Sequence, residues 1–593
     1  MQELEYPFDS EWILKKAKSI KKTLLSDGES RIRKKIAVLG GSTTHDIIKV
    51  LELFLLNYGI EPEFYESEYG QYWQDAMFEN EVLKDFAPDL IYIHTSNRNI
   101  MTYPEPGDAK EQTEHLLKET FEHFHMMWEQ LGKTYHCPII QNNFEFPYYR
   151  LLGNQDAVNH SGRVYFINRL NAMFADYAAG QENFYLQDIQ YLSACYGLDK
   201  WGDSFYWHMY KYALCVPAIP TLAFNLANII KSVYGKNKKA LVLDLDNTLW
   251  GGVVGDDGPE NIEIGQETSM GQVYAEFQTY LKEQKKIGIM LNVSSKNEEE
   301  NALAGLNRPD GVLKPEDFVI IKANWEPKSK SVAQIASELN IGPDSLVFVD
   351  DNPAEQEIIR QSLPRVAVPR VEKPEEYVKL IDRSGFFEVT SLSEDDTRRN
   401  EMYKANQERD KLKESFTDYG EYLKSLQMSA EIRAFTPLYM ARIAQLTNKS
   451  NQFNLTTRRF SQAEIEEIAK DASYITLYGR LTDKFGDNGV VSVVIGRKEQ
   501  DTLHVDLWLM SCRVLKRDME YAMMDCLVEK CKACGIRRIR GYYYPTAKNK
   551  MVENFYGLQG FSLQNRDEAG NAVWEFEIPA QYEKKNHFIA VEE

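Results

Sequence analysis

Two pairs of aspartates carry the most chemistry in this chain. Asp244 and Asp246 close the apolar run ALVLDLD, and Asp350 and Asp351 close a second one, LVFVDD. Residues two apart on a strand face the same side, so Asp244 and Asp246 can divide the work at one site. Asp244 can attack phosphorus and form an aspartyl phosphate. Asp246 can give a proton to the leaving group and take one from the incoming water. Two anions repel each other and a phosphate, so this chemistry needs a hard cation, and Mg²⁺ accepts carboxylate, carbonyl and water ligands. The expected metal residues are Asp244, Asp246, Asp350 and Asp351, with Asp350 favoured within its pair. A hydroxyl at a strand end, Ser295 in NVSSKN, and a lysine opening a helix, Lys328 in NWEPKSKS, suit hydrogen bonding and charge neutralisation of a phosphoryl group in transfer. Either aspartate pair alone would read as ordinary strand-end acids. All four elements in this order point to one site.

The surrounding pattern supplies what must position them. After KKALVLDLDNTLWGG, helices at 269–287, 297–306 and 328–340 alternate with the strands IMLNVSS, DFVII and SLVFVDD. Such alternation predicts a parallel, doubly wound sheet, where ligands bind at the carboxyl ends of the strands. Upstream, IAVL ends in a Gly-Gly-Ser turn, with an amphipathic helix after it and a further strand, DLIYIHTS. Downstream, the charged segment SEDDTRRNEMYKANQERDKLKES reads as an exposed helical connector. Strands GVVSVVIG and LHVDLWLM and a helix at 517–534 follow it. The expected organisation is a helical segment at 1–30, an α/β domain at 31–235, the phosphoryl-transfer domain at 236–385, the connector at 386–428 and an α+β domain at 429–593.

A chain of 593 residues exceeds what one hydrophobic core organises. Its 43% hydrophobic and 27% charged residues are those of an ordinary globular protein. A net charge of −20 argues against general nucleic-acid binding. The N-terminus lacks the basic start and apolar run of a signal peptide. The most apolar stretch, CVPAIPTLAFNLANII, reads as a buried loop and helix, too short and polar to span a bilayer. Seven cysteines form no disulfide framework, and the lone pair Cys531 and Cys534 fits a helical face better than a zinc site. The expectation is a protein of the reducing cytoplasm, with no membrane or nucleic-acid partner.

The four central elements resemble the motifs of the haloacid dehalogenase superfamily. The match narrows further: LVLDLDNTLWGGVVGDDG, LNVSSKN, NWEPKSKSVAQIASELNIG and VFVDDNPAEQ are similar to the FkbH family, and the similarity continues through LTNKSNQFNLTTRRF, DKFGDNGVVSVVI and MSCRVLKRDMEYAMM. The resemblance implies a Mg²⁺-dependent enzyme. Such an enzyme takes a phosphoglyceryl group from 1,3-bisphosphoglycerate, loads it on an acyl carrier protein and removes the phosphate, for polyketide or methoxymalonyl-type biosynthesis. Family members often carry a cysteine before the motif serine. Here that position, the candidate for acyl transfer, is Ser294, and no cysteine lies between residues 216 and 511. No insertion large enough for a cap domain separates the motifs, so WGGVVGDDG supplies only a small flap and the site is open to a bulky substrate.

The flanking domains carry resemblances of their own. Ser42 after the first strand, Asn97 after a later one, and Asp203 and His208 in WGDSFYWHMY resemble an SGNH-hydrolase triad with its oxyanion-hole asparagine. Gly41 stands where that family has an aspartate, and the Asp-to-His spacing is five instead of three. The last domain resembles the GNAT acetyltransferase fold, but the two glycines of the pyrophosphate loop are replaced by Lys516 and Asp518. Acetyl transfer is therefore not expected. The basic residues Arg513, Lys516, Arg517, Arg537, Arg538 and Arg540 are expected instead to dock an acidic carrier protein, or else to be solvated faces. The leading reading is a phosphatase or glyceryltransferase acting on a carrier-bound group. The alternatives are a phosphatase of a small phosphorylated molecule such as a sugar phosphate, and a non-catalytic carrier-docking scaffold.

Overall fold

Short runs of β-branched and leucine residues, each followed by a polar turn and an amphipathic helix, build the first two sheets. The structure, a computed structural model, describes residues 1–546 and 548–592. It is a multidomain α/β protein that divides into two units, Met1–Val233 and Tyr234–Glu593.

In the first unit the helix Ser10–Leu25 precedes five strands. These are β1 (Ile32–Gly40), β2 (Ile60–Glu66), β3 (Leu90–His94), β4 (Ile139–Asn142) and β5 (Phe184–Gln187). They form a parallel sheet in the order β2-β1-β3-β4-β5. β3 and the second half of β1, from Ile36 to Gly40, lie within the core, and one face of the sheet packs an aromatic cluster that includes Phe124, Trp128, Phe144 and Phe174. The apolar segment Val216–Val233 has the length and composition to cross a membrane, contrary to the sequence reading. Its helix, Ile219–Val233, is mostly buried within the unit, from Ile219 and Leu222 to Ile230.

The second unit opens with β6 (Ala240–Leu243), β7 (Met290–Ser295), β8 (Ile320–Ala323) and β9 (Leu346–Val349). All are parallel, in the order β8-β7-β6-β9. The register decides the chemistry: Leu243 pairs with Val349, so Asp244 and Asp350 leave the sheet side by side. A second, nine-stranded sheet is built from β10 (Met428–Arg433), β11 (Phe453–Asn454), β12 (Tyr474–Asp483), β13 (Gly486–Glu499), β14 (Thr502–Met510), β15 (Arg538–Tyr543), β16 (Ser562–Arg566), β17 (Ala572–Glu577) and β18 (Ile589–Glu592). Strands β12 to β14 run antiparallel. β14 and β15 are parallel and pair only from Thr502 to Val505, after which they part. The two-residue strand β11 fills the gap, pairing with Leu509 and Met510 of β14. Leu455 then bridges, its N–H donating to Trp508 at 3.1 Å and its C=O accepting from Tyr544 at 2.9 Å. The whole is a GNAT-like α+β arrangement, with the helix Met519–Ala533 as the crossover between β14 and β15.

The connector differs from the solvated helix its composition suggests. Within Arg399–Glu414, Tyr403 packs into the core beneath β6 and β9. Arg409 forms a buried two-pronged bond to Asp483 at 2.6 and 2.8 Å. Long charged side chains paired with buried carboxylates make this segment a strut between the two sheets. Its polarity combines an exposed face, with Glu401, Glu408 and Lys411, and buried ion pairs such as that of Arg409.

Candidate active site

The strand register brings three carboxylates together. One oxygen from each of Asp244, Asp350 and Asp351 lies within 4.8 Å of the others. Lys328, the first residue of the helix Lys328–Glu338, reaches Asp244 at 2.8 Å and Asp350 at 2.5 Å. Its side chain is only 5% exposed. Burial alone would lower the Lys328 pKa, but Asp244 and Asp350 outweigh it and raise it. Burial, and then Asp244 beside it, pushes Asp350 up to about 6. Burial and the same neighbour raise Asp351. The second oxygen of Asp244, Oδ1, is sealed from solvent with no hydrogen-bond partner. Crowded carboxylates with raised pKa values and an orphaned buried oxygen are the donor set that a small divalent cation satisfies.

Asp246, expected among the metal ligands, is not in this cluster. Three donors hold its carboxylate elsewhere: Trp250 Nε1 and the Val254 N–H at 3.0 Å on Oδ1, and Asn297 Nδ2 at 2.7 Å on Oδ2. The flap that begins at Trp250 is short, closed by backbone bonds between Gly251 and Glu263. Asp246 is thus oriented by the flap and by the loop after β7, a placement suited to proton transfer. Asn297 also donates to Ser295 Oγ at 3.2 Å, tying the strand-end hydroxyl to the same network. The sequence reading missed Asn297 and also Thr248, whose hydroxyl accepts from the Asp351 N–H at 3.2 Å. Both lie inside motifs already noted, DLDNTLW and NVSSKN; their polar side chains were the available signal. Ser294 is 1% exposed and its hydroxyl has no partner. Among the described residues no base is bonded to it.

The SGNH-like candidates are not assembled into a relay. Ser42 is buried with its hydroxyl unpartnered. Asp203 spends its carboxylate capping the helix Ser204–Tyr210, accepting from the Phe205 and Tyr206 N–H groups. His208 is exposed on that same helix, and no hydrogen bond among the described residues joins it to Ser42 or Asp203. The Asn97 amide points to the Glu145 and Phe146 carbonyls, while Asn99 holds the turn at Gly41. The acid and histidine fail to pair because the acid sits at the helix start, where the free N–H groups claim it.

The six basic docking candidates do not form one surface either. Arg517 is buried against Asp483, Asn488 and Asn406. Arg513 binds Asp395 and Ser511. Arg538 pairs with Asp501 and Arg540 with Glu575, each at 2.7–2.8 Å. Lys516 and Arg537 remain exposed, but they flank opposite ends of the helix Met519–Ala533, about 22 Å apart at 1.5 Å per residue. In place of the two loop glycines, Lys516 and Asp518 hold φ of 63° and 62°, so the backbone keeps a glycine-type conformation without the glycines. All seven cysteines are free, with Cys531 buried and Cys534 exposed.

Residues 35–231 match the model of the FkbH N-terminal domain. Among solved structures, the N-terminal part of a Bacteroides fragilis protein containing a phosphatase domain, complexed with Mg, is 30% identical, covering 63% of this chain and 99% of that one at a TM-score of 0.58. The ribosomal-protein-S18-alanine N-acetyltransferase of Escherichia coli (11% identity, 27% of this chain, 99% of that one, TM-score 0.21) and a GNAT-family acetyltransferase of Streptococcus pneumoniae (15%, 26%, 100%, 0.22) are also similar. No curated protein matches by sequence.

Proposed function

The chain belongs to the FkbH family of haloacid-dehalogenase-type phosphatases, and on that basis we propose that it removes the phosphate from a phosphoglyceryl group carried on an acyl carrier protein. The observation that carries the phosphatase reading is Lys328 clamped between Asp244 and Asp350, with one Asp244 oxygen left free. The Asp244 carboxylate attacks phosphorus, and the bond from phosphorus to the leaving oxygen breaks as Asp246 delivers its proton. Water then attacks the aspartyl phosphate, Asp246 takes the water's proton, and the bond between phosphorus and Asp244 breaks to release phosphate. Lys328 neutralises charge on the phosphoryl oxygens in both steps. Asp244, Asp350 and Asp351 would hold Mg²⁺, which supplies further charge neutralisation and orients the phosphate when bound. The small flap supports a substrate too bulky for a capped site.

The test uses a carrier protein bearing a 3-phosphoglyceryl thioester on its arm, followed by intact-protein mass spectrometry. Loss of the phosphate mass with Mg²⁺, and none with Asp244→Asn, is the expected result. The Asn side chain fills the space but cannot attack, so activity should fall by about three orders of magnitude or more with little change in melting temperature. Rapid hydrolysis of free phosphoglycerate beside an untouched carrier would overturn the carrier assignment and leave the phosphatase one standing. Near wild-type turnover by Asp244→Asn would remove Asp244 as nucleophile.

A further inference from the structure

At the other end of β6 and β9 the same unit contains a cavity of about 290 Å³, lined by seven lysines and arginines against three aspartates. In a chain of net charge −20 this is an unusual concentration of positive charge. Lys239 stands immediately before β6, five residues from Asp244, so the cavity is about 16 Å from the catalytic carboxylates along the strand. The connector, residues 340–345 and 510–513, and the segment from Arg442 to Phe453 supply the other walls, with Arg365 and Lys548.

The charges in this cavity do not balance. Asp395 answers both Arg442, at 2.8 Å, and Arg513, at 3.3 Å. Asp396 answers both Lys449, at 3.1 Å, and Arg399. Two carboxylates thus serve four cations. Lys239 makes no side-chain hydrogen bond or ion pair among the described residues, and Arg442 Nε is sealed from solvent without an acceptor. The crowding leaves its mark on the groups themselves. Burial lowers Lys239, and burial together with Arg399 and Arg442 pushes Lys449 down to about 8 despite Asp396. Desolvated cations that repel one another are stable partners only for a bound anion.

We propose that this cavity is a second anion site, which binds a small molecule bearing a phosphate ester or diphosphate. A single carboxylate offers one charge and two oxygens. A phosphate or diphosphate offers at least two charges and three oxygens, which suits the Lys239 ammonium and the orphaned Arg442 Nε together. The volume exceeds that of inorganic phosphate alone, so an organic or second phosphoryl portion fills the remainder beside Tyr403 and Phe453.

The experiment is calorimetry on the full chain in EDTA, with inorganic pyrophosphate as probe and inorganic phosphate in parallel. Each titration is repeated at an equal ionic strength of NaCl and on Asp244→Asn. Saturable binding of one pyrophosphate per chain is expected, unchanged in Asp244→Asn because the phosphatase site is not involved. Lys239→Gln and Lys449→Gln should each weaken it by about tenfold, and Lys239→Arg should retain most of it. Heat no different from the NaCl control, wild-type affinity in both glutamine variants when folded, or loss of binding in Asp244→Asn would each overturn the proposal.

Discussion

The Asn297 amide donates to Asp246 Oδ2 at 2.7 Å, and it is the side-chain contact that fixes this oxygen. The other oxygen is fixed by the flap. A proton-transferring carboxylate whose orientation depends on two separate elements should respond to either.

Asn297→Ala should therefore lower kcat by about 10- to 100-fold on an aryl phosphate, within the range that positioned acid–base groups contribute. KM should change little, because Asn297 touches Asp246 and Ser295 and positions the acid without holding substrate. Asn297→Asp adds a like charge beside Asp246 and should move the acid–base limb of the pH–rate profile upward. A profile identical to wild type in both variants would assign Asn297 a purely structural role.

Magnesium binding should weaken as the pH falls. The Asp350 carboxyl, held up to about 6 by burial and Asp244, must lose its proton to serve as a ligand. Apparent affinity should be near its plateau above pH 7 and drop by about tenfold per unit below pH 6. The linked stability has the opposite sign in the metal-free chain. A carboxyl raised in the folded state contributes stability that is present below its unfolded pKa and is lost as pH rises through about 6. Melting curves in EDTA from pH 4.5 to 8, with and without Mg²⁺, separate the two effects; a Mg²⁺ affinity flat from pH 5 to 8 contradicts them.

Ser294 should be a poor acyl carrier. Its hydroxyl is buried and unpartnered, and a serine oxygen without a base is a weak nucleophile. Given 1,3-bisphosphoglycerate and a carrier protein with a free thiol arm, the wild type should load little or no glyceryl group, and Ser294→Cys should load more. Intact mass of the carrier reports both. Efficient loading by the wild type would show that the carrier thiol attacks the acyl phosphate directly.

Much of the central site was legible because its parts are local. Asp244, Asp350 and Lys328 each end an apolar strand or open a helix, and parallel register then brings the strand ends together without further information. Asp246 was legible as an acid, but that its carboxylate stands outside the cluster of the other three was not, because Trp250 and Asn297 hold it from elements that the sequence does not order in space. Charge clusters were the least legible. Arg513 and Arg517 sit beside exposed Lys516 in sequence, yet their partners are Asp395 and Asp483, far away in the chain. The polar connector misled for the same reason. Composition reports polarity, whereas burial of paired charges is a tertiary fact.

Lys516 and Asp518 predict a stability effect. Left-handed backbone costs a residue with a side chain about 1–2 kcal/mol, part of which glycine returns through its greater freedom in the unfolded chain. Lys516→Gly should thus leave stability unchanged or raise it by up to about 1 kcal/mol, since the bond from Tyr419 uses only the Lys516 carbonyl. It should not create acetyl-CoA binding, because Asp518 still places a negative charge at the helix start. Chemical denaturation and calorimetry check the two parts; a micromolar acetyl-CoA complex in either protein contradicts the second.

β11 carries a consequence for any ligand that would enter the C-terminal sheet. Where two strands part, their unpaired N–H and C=O groups are a template for an extended chain to add itself as a strand. Here that template is held by Phe453, Asn454 and Leu455. Because they belong to the same chain, they compete at an effective concentration of about millimolar or above. A diffusing arm present at micromolar levels would face at least a thousandfold handicap at equal intrinsic affinity, so this sheet acts as a closed body whose ligands must be met at its surface or in the cationic cavity beside it.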